Sequence, residues 1–144
     1  MQVKYKDDII SSVMRFVEEI PLANGLKVEV WDKSIPIAAD TTKVELLIRI
    51  EVELRSSYFT KTEHFEFVRQ VLGPEISFEY NKERSFVNNK KKDAVFQELL
   101  DAFKKDSLPY LSKPIFPCNF ALSKYWDIQK NRYKYHSYFE GKPS

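Results

Sequence analysis

The stretch KVELLIRIEVELR, residues 43–55, constrains this chain more than any other. Val44, Leu46, Ile48, Ile50, Val52 and Leu54 take every even position. Lys43, Glu45, Arg49, Glu51, Glu53 and Arg55 take the odd ones, with Leu47 as the exception. On a helix, residues two apart lie about 200° around the axis, so such a set makes no stripe; on a strand it makes one face. The run therefore specifies a strand of roughly 40 Å, well beyond the usual length of about five or six residues. One face is built for a core. The other is ionic, and its role is either solvation with cross-strand ion pairs or contact with a partner.

The flanking segments supply what such a strand needs. LKVEVW (26–31) alternates Leu26, Val28 and Val30 against Lys27, Glu29 and Trp31, and follows an Asn24-Gly25 turn. EISFEY (75–80) alternates Ile76, Phe78 and Tyr80. Both read as strands. Ile9, Val13, Phe16, Val17 and Ile20 fall at helical spacing, so 7–20 is expected to be a helix stopped by Pro21. Residues 32–42, with Pro36 inside, read as a connecting loop. A second helix is expected over 60–74, from the Thr60-x-x-Glu63 capping pattern to Gly73-Pro74, with Phe65, Val68 and Leu72 on one face. A third follows Asp93 as its cap, with Phe96, Leu99, Leu100 and Phe103 as the core stripe. Between them, 81–93 is polar and basic, with a short strand at 85–87 and a loop at 88–92. The expected architecture is α+β: an antiparallel sheet of about three to five strands with two or three helices packed on one face.

A chain of 144 residues is expected to form a single domain, 1–144, large enough for one core. From about residue 107 the pattern loosens, because Pro109, Pro114 and Pro117 forbid a long regular element there. Residues 123–139 are expected to begin as a short helix capped by Ser123 and to form an edge strand over 132–137. No window approaches the roughly 18 consecutive apolar residues of a membrane span. MQVKYKDDIISS lacks the apolar run of a secretory signal. A lone cysteine, Cys118, allows no internal disulfide and fits a reducing cytoplasm or a virion interior.

Several chemistries are disfavoured by residue type. Two histidines, His64 and His136, and one cysteine offer no zinc-ligand spacing, and no metal or other cofactor is expected. Three isolated glycines cannot build a GxGxxG or GxxxxGK[ST] phosphate loop. Cys118 lies among apolar neighbours, the setting of an inert thiol. Glu53-x-Arg55, with Asp32 or Asp40 upstream, matches a magnesium-dependent nuclease only in outline, since an always-protonated arginine replaces the lysine.

Two binding readings remain. The first is a non-catalytic protein that engages another protein or itself: an adaptor, a toxin-neutralising immunity protein, or an assembly subunit of a phage or secretion system. Its contact residues would be Tyr125, Trp126, Tyr133, Tyr135 and Tyr138, with Arg49, Glu51 and Glu53 on the ionic strand face. The second is nucleic-acid binding through Lys82, Arg84, Lys90, Lys91 and Lys92, joined by Lys130, Arg132 and Lys134. Basic residues interleaved with aromatics offer cations to phosphates and flat rings to bases. The net charge of +2 is far below that of a dedicated nucleic-acid binder, which places the protein-binding reading first.

Overall fold

A computed structural model describes residues 14–131. Five strands form one antiparallel sheet: β1 (Arg15–Pro21), β2 (Lys27–Asp32), β3 (Ile35–Ala38), β4 (Thr41–Glu53) and β5 (Glu75–Asn88). The helices are α1 (Thr62–Leu72), α2 (Lys92–Asp106), the single turn α3 (Leu108–Leu111) and α4 (Phe116–Lys130), with a 3₁₀ turn at Ser56–Tyr58. Among the described residues no helix is long and apolar enough to cross a membrane.

The long alternating run is the central strand. Val44, Leu46, Ile48, Ile50 and Val52 are wholly buried, while Glu51 and Glu53 are exposed. β4 pairs β2 with Val28 opposite Ile50 and Asp32 opposite Leu46, and pairs β3 with Ile35 opposite Lys43. The step from Val28 to Ile35 equals the step back from Ile50 to Lys43. β2 and β3 are thus one strand in one register along the same edge of β4, interrupted only at Lys33 and Ser34. That leaves the other edge of β4 to β5.

The 32–42 segment is therefore not a loop. Pro36 suits β3 because an edge strand tolerates a missing N–H. Nor is 7–20 a helix where it is described: Arg15–Pro21 is β1, hairpinned to β2 through Asn24-Gly25. Gly25 adopts φ +90, and the Asn24 side chain accepts the Leu26 N–H at 3.1 Å, so the turn demands a strand on each side. The short strand expected over 85–87 is the end of β5, which runs on through the basic 81–88 stretch, and the expected 88–92 loop shrinks to the turn at 89–91.

The helix expected over 60–74 is α1, and Gly73 ends it at φ +91. Neither expected cap acts as one. Lys61 and Lys91 hold the N-cap positions of α1 and α2 without a side-chain bond, and Asp93 sits inside the first turn of α2. Two of the three prolines, Pro109 and Pro117, start helices instead of forbidding them, while Pro114 lies in the turn between them. Pro109 and Pro117 lie in the first turns of α3 and α4, where a proline N–H would have had no partner. Ser123 is internal to α4, its hydroxyl donating to the Phe120 carbonyl at 2.7 Å.

The chain groups into two compact units, and the division falls inside β4 and β5. The first takes the chain up to Ile50 together with Glu79–Ser112. There the apolar sheet face is closed by α2, whose Leu99, Leu100 and Phe103 are buried and whose Phe103 ring lies 5.5 Å from Tyr80. The second takes Glu51–Phe78 and the chain from Lys113. Its core is aromatic: Phe78 meets Phe116 and Phe120 edge-on at 5.5 Å each, and Phe116 stacks on Phe120 at 5.8 Å. Cys118 points its thiol at the Tyr58 carbonyl, 3.5 Å away.

Candidate interaction surfaces

In the first unit, the ionic face of β4 consists of cross-strand ranks. Glu29 stands opposite Arg49, and Arg49 reaches Glu79 of β5 at 3.3 Å. Glu45, 8% exposed, lies between Lys43 at 3.4 Å and Lys33 at 3.8 Å, while Lys43 also reaches Glu83 at 3.6 Å. Part-exposed pairs of this kind contribute up to about 1 kcal/mol each. Glu53 pairs with Arg55 at 3.6 Å in the second unit.

Between two such ranks runs an apolar one. Phe16 stands opposite Trp31, and Trp31 opposite Leu47. The Phe16 and Trp31 rings meet edge-on at 5.3 Å, yet Phe16 remains 53% exposed. Val17, Ile35 and Ile37 are exposed too, so β1 and β3 together carry half of the eight large apolar side chains open to solvent among the described residues. Among those residues no strand pairs with the outer edge of β1. Sequence reasoning missed this surface because it placed Phe16 and Val17 on a helical core stripe.

The residues named from sequence are distributed as follows. Tyr125 stacks on His64 at 4.4 Å, which ties α4 to α1 inside the second unit. Trp126 is 60% exposed and shares a shallow groove of about 500 Å³ with Ser123, Asp127 and Lys130. Tyr133, Tyr135, Tyr138, Arg132 and Lys134 lie outside the described residues, as does the edge strand expected over 132–137. Lys82, Arg84, Lys90, Lys91 and Lys92 are all exposed, the first two on the last part of β5 and the other three at the corner of the first unit where β5 turns into α2.

That corner is tightly built. The Asn89 backbone N–H donates to Asp40 at 3.0 Å, its side-chain amide donates to Ala39 at 3.2 Å, and its side-chain oxygen accepts the Thr42 hydroxyl at 2.5 Å. Asn88 caps the turn by accepting the Lys90 N–H at 2.9 Å. Just before it, Phe86 holds φ +59 with its ring 77% exposed. A left-handed conformation costs a residue with a Cβ about 1–2 kcal/mol. Phe86→Gly is accordingly expected to stabilise the protein by about 1 kcal/mol, read as a melting temperature roughly 3 °C higher. A fall instead would mean that the ring contributes packing worth more than the strain.

Beside the same corner lies a cavity of about 370 Å³. Four of its polar side chains and one backbone N–H bond one another: Arg15 bonds Asp32 at 2.6 Å, Asp32 accepts the Ser34 N–H at 2.9 Å, and Thr42 is held by Asn89. Among the described residues no three His, Cys, Asp or Glu side chains converge as a metal site would require. Asp32, the upstream acid of the nuclease outline, is committed to Arg15.

Fold and surfaces together define an α+β protein that combines an apolar sheet edge with a cationic corner. No protein-family model matches the chain, and comparison with curated proteins and with solved structures finds no match either.

Proposed function

We propose that this is a non-catalytic interaction protein that assembles through the outer edge of β1 and the Phe16–Trp31 pair beside it. The observation that carries the reading is the exposure of Phe16 and Val17 on β1, whose outer edge no described strand covers. Exposed apolar edges recruit a further strand. A second copy of the chain is the simplest partner, since an edge run antiparallel to itself presents matching N–H and C=O rows. The usual charge guard is weak here. Glu18 is paired with Lys104 at 2.9 Å and Glu19 with Lys27 at 3.9 Å, so neither presents an unopposed charge. A reducing cytoplasm, or a virion interior, suits the lone Cys118 thiol.

Sedimentation velocity from micromolar to millimolar protein tests this. The wild type should sediment as a dimer or larger, and Phe16→Glu as a monomer that still unfolds cooperatively, because the ring is half exposed already. A wild type that stays monomeric throughout, or a Phe16→Glu variant that associates equally well, removes the proposal.

A further inference from the structure

We propose that the β5–α2 corner of the first unit binds single-stranded nucleic acid, with Lys82, Arg84, Lys90, Lys91 and Lys92 holding phosphates and the Phe86 ring stacking on an unpaired base. This goes beyond self-assembly and does not depend on it: the two surfaces share no residue.

Three features of the corner oppose the stability of the isolated fold, and all three favour such a ligand. The first is unpaired charge. On β4, Lys43 and Arg49 each have a carboxylate, whereas among the described residues none of the five corner cations does. Glu83, the one acid within 82–92, is drawn to Lys43 at 3.6 Å. The second is placement. Lys90, Lys91 and Lys92 crowd the start of α2, where the helix dipole repels cations and attracts anions. The last is Phe86, a bulky residue at φ +59 with a ring that is 77% exposed. Backbone strain of this kind clusters at sites that meet a ligand.

The geometry selects the ligand class. Lys82, Arg84 and Phe86 are spaced along roughly 13 Å of one strand, so cations and ring lie on a line, as the phosphates and bases of a strand do. The turn that carries the lysines is fixed by Asn88 and Asn89, so little order is lost on binding. A duplex keeps its bases stacked and leaves the ring nothing to stack on. An acidic peptide satisfies the cations but not the ring. An anionic membrane satisfies the cations, but one ring is a small apolar anchor for a bilayer.

Fluorescence anisotropy with a labelled oligothymidylate of about 12 nucleotides tests the assignment. The wild type should bind, with an affinity that falls steeply between about 50 and 200 mM salt. Phe86→Ala should weaken binding roughly 5- to 150-fold, the equivalent of one lost base stack. Phe86→Trp keeps a ring and should restore it, which separates stacking from any change in folding. The double variant Lys90→Gln/Lys92→Gln should reduce the salt slope by about 1.4, from about 0.7 for each lost phosphate contact. The proposal is overturned if the wild type ignores the oligonucleotide at low salt, or if Phe86→Ala binds equally well. It is likewise overturned by a hairpin duplex bound as tightly as the single strand, or by stronger binding to phosphatidylserine vesicles or polyglutamate.

Discussion

Ile50→Lys is expected to leave no cooperatively folded protein, whereas Glu51→Gln, one residue along the same strand, shifts stability by less than about 1 kcal/mol. Ile50 is wholly buried and stands opposite Val28 on the apolar face of the sheet. Losing that side chain's burial costs about 1.5–3 kcal/mol, and an ammonium forced into the same place adds several more. Together these approach the whole stability of a domain this size, about 5–15 kcal/mol. No slip of β4 rescues the variant, because moving one residue along would turn Val44, Leu46, Ile48 and Val52 out to solvent as well. Glu51 lies on the opposite face and is exposed, so its amide isostere loses only screened charge. Circular dichroism and urea titration of the two variants measure the difference. Equal losses would mean that the two faces of β4 are not distinct.

That contrast was legible in the sequence because strict alternation over a long run has only one structural solution. The α2 stripe of Leu99, Leu100 and Phe103 was legible for the same reason, with the helical period in place of the strand period. β1 was not. Phe16, Val17 and Ile20 fit the helical period, and the register shift between Phe16 and Glu18 breaks the alternation that would mark a strand, so only the hairpin turn at Asn24-Gly25 points to it. Pro36 concealed β3, and Pro117 concealed α4, because proline breaks interiors but is at home on sheet edges and in first helical turns. The candidate sites divide similarly. Lys43 and Lys90 are interchangeable as letters, and only the fold shows that the first has carboxylates beside it. The left-handed backbone of Phe86 has no sequence signature at all, since that conformation is normally advertised by glycine or asparagine.

Phe103→Ala is expected to destabilise the protein by about 3–5 kcal/mol, lowering the melting temperature by roughly 10 °C. Phe103 is 2% exposed and is among the largest wholly enclosed side chains, packed against Tyr80 with the ring planes tilted by 38°. Truncation removes both the transfer of the ring from water and the contacts of its neighbours, and α2 cannot move in to fill the space without displacing Leu99 and Leu100, which share its stripe. The urea midpoint should fall while the slope stays constant, since both states expose nearly the same surface as before. The same variant separates packing from binding. Phe103 lies about three turns from the lysines at the start of α2, and Asn88 and Asn89 fix the corner without it. Oligonucleotide affinity measured well below the transition should therefore match the wild type. An affinity that fell in step with stability would mean that the corner takes its shape from the helix core and not from its own hydrogen bonds.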